Sequence, residues 1–191
     1  MKIRTDVLFL IDSSQGVSPQ DYQLQKNFVK RLAYHLKLST DGPRGALSAY
    51  ATYPYTVVNF GEQDFEEKVD NATLMKRPRR LDRALEHASD MFANSGGSDG
   101  KILILITAGK ETRFPDLKSL NEASKPLRKQ GVQTYVIALG QDHNTNIYTS
   151  VVVQPQDIIQ VPVIGHLLSR TSDISRQIRD GSCKLRQFFP S

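Results

Sequence analysis

Hydrophobic and polar positions along this chain follow two alternating rhythms. Asp6 to Ile11 is a compact apolar strand, and Ile102-Leu103-Ile104-Leu105-Ile106 is apolar without alternation. A strand of the second kind is covered on both faces, as in the middle of a parallel sheet. Between such runs lie segments with helical spacing. Phe28, Val29, Leu32, Ala33 and Leu36 define one buried face of a helix over 18–36. Ser18 is placed to cap it, with Pro19 at its first position and Asp21 in its first turn. Leu81, Ala84, Leu85, Ala88 and Phe92 form the stripe of a second helix over 80–93.

The remaining segments fit the same alternation. Strands over 45–50 and 55–60, joined at Thr52-Tyr53-Pro54, read as a hairpin that makes one sheet edge antiparallel. A short helix covers 64–69. A helix over 117–129 ends at Gly131, with Pro126 expected to kink or split it. Strands follow at 132–139 and 157–161, and a last helix at 164–179. Together these predict an α/β fold, doubly wound, with a mostly parallel central sheet, one antiparallel edge strand and helices on both faces. The expected organisation is a single domain over 1–191, with its core at about 6–179 and a C-terminal tail at 180–191.

Composition narrows the function classes. The 191 residues suffice for one well-buried domain, and 39% hydrophobic with 24% charged residues is an ordinary globular balance. No apolar run approaches the roughly 18 residues needed to span a bilayer, so membrane insertion is not expected. Met1 reads either as the start of an excised module or as a cytosolic start. The net charge of +5 suits an anionic partner, although mildly basic modules without one are common. Cys183 is the one cysteine, so an internal disulfide is excluded. Its position suits pairing with a cysteine outside the fragment, or it stays a free thiol. Enzyme signatures are missing: there is no Gly-x-Ser-x-Gly elbow, phosphate-binding loop or dinucleotide fingerprint.

The first strand ends at Asp12, followed by Ser13 and Ser14. This places hard oxygen ligands at the carboxyl edge of the sheet, where doubly wound folds bind ligands and where magnesium finds suitable donors. Asp6 to Ser14, Leu81 to Leu85, Ile104 to Lys110, Arg128 to Gly140 and Asp157 to Val161 together resemble the von Willebrand factor A domain. The extracellular matrix branch, including the collagen VI and matrilin modules, is the most similar in pattern.

That resemblance implies a metal-ion-dependent adhesion site with five side-chain ligands. Asp12 and Ser14 match the first two. Gly16 stands where a serine is expected, Ala108 where an aspartate is expected, and no threonine occurs between Lys76 and Asp82. The expectation is no cofactor, with weak magnesium binding as the alternative. Asp12 then needs a cation, and Lys76, Arg77, Arg79, Arg80 and Lys110 are the candidates, Arg79 and Lys110 first. Alternatively all five face solvent and water solvates Asp12; the structural alternative to metal ligation is that Asp12 and Ser14 only cap backbone amides. The run Lys76 to Arg80 reads either as a sulfated-glycan surface or as a solvated loop. Asn71-Ala72-Thr73 is an N-glycosylation sequon.

The resemblance therefore implies a secreted, non-enzymatic adhesion or assembly module of the extracellular matrix, part of a larger multidomain protein. Its expected partners are a matrix protein such as a collagen, or a sulfated glycosaminoglycan, and not nucleic acid. The rival readings are a weak magnesium site completed by a carboxylate of the partner, and an intracellular scaffold of the same fold.

Overall fold

The computed structural model describes residues 4–108, 113–141 and 144–182. Six strands form one sheet in the order β3-β2-β1-β4-β5-β6. They are β1 (Thr5–Asp12), β2 (Arg44–Tyr50), β3 (Pro54–Val58), β4 (Gly100–Ala108), β5 (Gln133–Leu139) and β6 (Ile158–Val161). All pairings are parallel except β2 with β3. The predicted hairpin and mostly parallel sheet are thus present. Chain order reverses between β1 and β4, which makes the strand ends at Asp12 and Ala108 the switch point beyond which such sheets bind ligands.

Helices α1 (Pro19–His35), α2 (Phe65–Asp70) and α5 (Thr171–Gly181) cover one face of the sheet, and α3 (Leu81–Ala93) and α4 (Leu120–Lys129) the other. Alternate residues of β1 feed the two cores: Val7, Phe9 and Ile11 one, Leu8 and Leu10 the other. Every residue of β1 is buried. Each of its Val, Leu, Phe and Ile side chains, taken fully from water, contributes about 1.5–3 kcal/mol. This is why the rim at the end of β1 is a rigid platform. At α1 the Ser18 hydroxyl accepts from the Asp21 amide at 3.0 Å, with Pro19 next in the chain.

Two expectations are corrected. Pro126 does not split α4, which runs unbroken through it. The carbonyl deprived of a partner belongs to Glu122, and both residues lie on the exposed face, where water replaces the lost bond. The last helix is also shorter than 164–179. Residues Ile164–His166 and Leu168–Arg170 form 3₁₀ turns, and the α-helix begins at Thr171. Thr171 bonds back to the Leu168 carbonyl at 2.8 Å, a local alternative to regular helix bonding. Among the described residues, no helix is long and apolar enough to cross a membrane.

Candidate functional site

Asp12 ends β1 fully buried at the switch point of the sheet. Its backbone is clamped by Gln25 of α1. The Asp12 amide donates to Gln25 Oε1 at 2.8 Å, and Gln25 Nε2 donates to the Asp12 carbonyl at 2.9 Å. Both carboxylate oxygens accept backbone amides: Oδ1 from Ser14 at 2.9 Å and Oδ2 from Ala108 at 2.8 Å. The carboxylate therefore ties the first loop to the end of β4.

A cation completes the environment. Arg79 Nη1 lies 3.5 Å from Asp12 Oδ2 and donates to Thr107 Oγ1 at 2.6 Å. Arg79 is only 2% exposed, so its guanidinium is part of the interior. Tyr50 lies in the same buried layer and donates to the Ile106 carbonyl at 2.8 Å. Burial pushes its phenol well above the usual range, and the Asp12 charge adds to that.

The segment that delivers Arg79 is pinned from both sides. Ser13 Oγ accepts from the Met75 amide at 2.7 Å and donates to the Thr73 carbonyl, while Gln15 N donates to the Arg77 carbonyl at 2.9 Å. On the other side Thr52 Oγ1 donates to the Pro78 carbonyl at 2.7 Å, and Arg80 N to the Ala51 carbonyl at 2.8 Å. Lys76 has φ of 55°, a left-handed turn that lets the chain reverse locally.

Arg80 is buried beside it and engaged elsewhere. It grips Asp82 with two bonds of 2.9 and 2.7 Å, reaches Asp116 at 2.9 Å, and stacks on Phe114 with 4.8 Å to the ring centroid. Burial raises the Asp82 carboxyl, but the bonds from Arg80 and from the Lys118 amide outweigh it and hold the group below its usual range.

The five candidate cations thus divide. Arg79 meets Asp12, and Arg80 is consumed by Asp82 and Asp116. Lys76 and Arg77 are exposed, with Lys76 Nζ donating to the Val17 carbonyl at 2.6 Å. Lys110 lies outside the described residues, as does Cys183. Neither Arg79 nor Arg80 offers its charge to solvent, so the run is not one continuous basic surface. Asn71 is exposed at the end of α2. Gln25 and Thr107 were not anticipated as site residues. A glutamine on the buried stripe between Tyr22 and Phe28 was the available signal for the first.

A resident divalent cation at this rim would need near-octahedral oxygen ligation with more than one negative charge. The donor set does not fit one. Among the described residues it offers a single carboxylate whose two oxygens already accept amides, and a guanidinium stands beside it. Ala108 carries no ligand atom on its side chain. Gly16 leaves room, since the nearest atom to a Cβ built there is the Ala108 carbonyl oxygen at 4.0 Å.

Comparison with known proteins gives the family. A family model described as von Willebrand factor type A domain matches residues 6–162. The chain is 24% identical over 147 residues to the collagen alpha-1(VI) chain of Gallus gallus, covering 73% of this chain and 14% of that protein. It is 25% identical over 144 residues to matrilin-1 of Homo sapiens, covering 71% of this chain and 28% of that protein. It therefore spans less than a third of the length of either relative. Among solved structures, proximal thread matrix protein 1 from the mussel byssus superposes with a TM-score of 0.82 at 18% identity, over 91% of this chain and 48% of that one. A form of the mussel protein has a zinc-occupied metal-ion-dependent adhesion site.

Proposed function

Given that this chain belongs to the von Willebrand factor type A domain family, we propose that it is a non-enzymatic adhesion or assembly module of the extracellular matrix, working without a divalent cation. The observation that carries the metal-independent part is the Arg79 guanidinium 3.5 Å from Asp12 Oδ2. Positive charge contributed by the protein itself then balances the carboxylate at every metal concentration. The relatives support the matrix setting, and with it secretion and a larger parent protein.

The binding surface is the loop rim around Asp12, whose exposed cations include Lys76 and Arg77. A matrix protein such as a collagen is the preferred partner. A sulfated glycan is the weaker reading, because Arg79 and Arg80 are turned inward. If the chain is secreted, Asn71 is an accessible position for a glycan near this rim.

Solid-phase binding to collagens and matrix extract, with magnesium or with chelator, tests the proposal. Saturable binding that survives chelation is expected. Loss of binding on chelation would remove metal independence, and no binding to any matrix component would remove the adhesion role.

A further inference from the structure

Among the described residues four aspartates are buried: Asp6, Asp12, Asp82 and Asp157. Three of them hold an arginine. Arg44 grips Asp6 with two bonds of 2.8 Å, Arg79 stands beside Asp12, and Arg80 grips Asp82. Asp157 is the exception. It is only 6% exposed, yet none of the described cations pairs with it, and the backbone amide of Gln154 is what its carboxylate holds. Burial pushes that carboxyl above its usual range, and the Gln154 amide offsets this only in part. The nearby Tyr135 hydroxyl gives no relief, because it donates to the Ile178 carbonyl at 3.4 Å. The site is short of one positive charge.

Asp157 also lines a recess of ≈ 310 Å³ that opens to solvent between the starts of β5 and β6 and the last turn of α5. This is the edge of the sheet opposite the Asp12 rim. The wall is rich in acceptors and poor in donors. Gln133 spends its amide hydrogens on Tyr135 Oη at 2.7 Å and the Gly181 carbonyl at 3.2 Å, Gln156 on Gln154 Oε1, and Gln177 on the Gln156 carbonyl at 2.6 Å. The amide oxygens of Gln133, Gln156 and Gln177 are left over. Asp180 adds an exposed carboxylate to the wall, and the closing turn of α5 adds the negative end of its dipole. Val153 is an exposed apolar side chain on the same wall.

We propose that this recess is a docking socket for an arginine side chain presented by a partner protein, with Asp157 as its counter-charge. A guanidinium offers several donors in a planar fork and no acceptor, which complements a carboxylate ringed by amide oxygens. Its aliphatic stem packs on Val153 while the head goes in. An ammonium is a compact point charge and uses fewer of these oxygens. The socket supplies from outside what Arg44, Arg79 and Arg80 supply to the other three aspartates from within. It lies away from the rim and does not depend on what the rim binds, so the module has a second contact surface facing the other way.

The test follows the side-chain amide resonances of Gln133 and Gln177 while Nα-acetyl-arginine amide, a stand-in for an arginine within a chain, is added to the protein. Saturable shifts in the millimolar range are expected. Nα-acetyl-citrulline amide, the neutral isostere, should bind about tenfold more weakly or worse, the worth of a hydrogen bond to a charged group. Asp157→Asn should weaken the arginine probe by a similar factor. That variant removes an uncompensated buried charge, so its melting temperature should be no lower than the parent's. An absence of saturable shifts in the parent protein would overturn the proposal without recourse to any variant. Equal affinity for the citrulline probe, or equal affinity of the Asp157→Asn protein for the arginine probe, would overturn it as well. Tighter binding of free arginine than of the capped residue would mean a small-molecule pocket and would overturn the assignment to a partner protein.

Discussion

Arg79 and Asp12 meet in the interior, 3.5 Å apart, with side chains 2% and 0% exposed. A buried pair of this kind is worth little against a well-packed apolar replacement, but breaking it by removing one partner is costly. Arg79→Met should therefore lower unfolding free energy by about 3 kcal/mol, measured by urea denaturation. Asp12→Asn added to Arg79→Met should recover part of the loss, because the uncompensated charge goes. Additive losses in the double variant would show that the two groups do not interact.

The same geometry predicts how metal binding can be installed. Gly16→Ser, Arg79→Thr and Ala108→Asp together remove the guanidinium and add three oxygen donors around Asp12, where Gly16 leaves open space. Manganese bound by the triple variant, and not by the parent, is the expected result in a paramagnetic resonance titration. Tight binding by the parent protein would contradict the reading of this rim.

Affinity for a sulfated polymer should be modest. With Arg79 and Arg80 buried, Lys76 and Arg77 are the members of the run left to displace counterions. The slope of log affinity against log salt should be near 2 rather than near 4, each contact releasing about one counterion. Heparin affinity measured over a salt series reads this slope directly. Lys76→Ala with Arg77→Ala should reduce it toward zero.

Acidification should destabilise the fold through His87. Burial holds its pKa below the ordinary value of about 6.5. Between the folded and unfolded pKa values the unfolded chain binds more protons, so stability rises with pH there. The contribution is fully present above about 6.5 and falls as pH drops toward the folded value. Thermal melts from neutral to mildly acidic pH should show this decline, and His87→Gln should flatten it.

Much of the architecture was legible along the chain. Uninterrupted apolar runs marked the central strands, and helical stripes in α1 and α3 located the layers that cover them. Asp12 stood out because a carboxylate directly after such a run falls on the sheet edge. Its surroundings were harder to foresee. The need to balance Asp12 pointed to Arg79, but charge runs are ordinarily solvated, so nothing local announced that Arg80 turns inward as well while Lys76 and Arg77 stay out. That division follows from distant anchors, Thr107 and Asp116, brought close only by folding. The continuity of α4 through Pro126 is not legible from residue type alone. The proline's effect depends on whether the orphaned carbonyl faces water. The 3₁₀ turns before α5 escaped notice for a similar reason, since 3₁₀ and α segments share similar apolar spacing over so few residues.

The borders of the sheet carry a last implication. On one side β3 is a five-residue strand opened by Pro54, which has no amide hydrogen to offer a neighbour, and its ladder with β2 is locally irregular. On the other, β6 is only four residues long. Both ends are poor templates for recruiting a foreign strand. Copies crowded together are thereby discouraged from zipping into fibrils through their backbones, and any ordered association must be written in side chains.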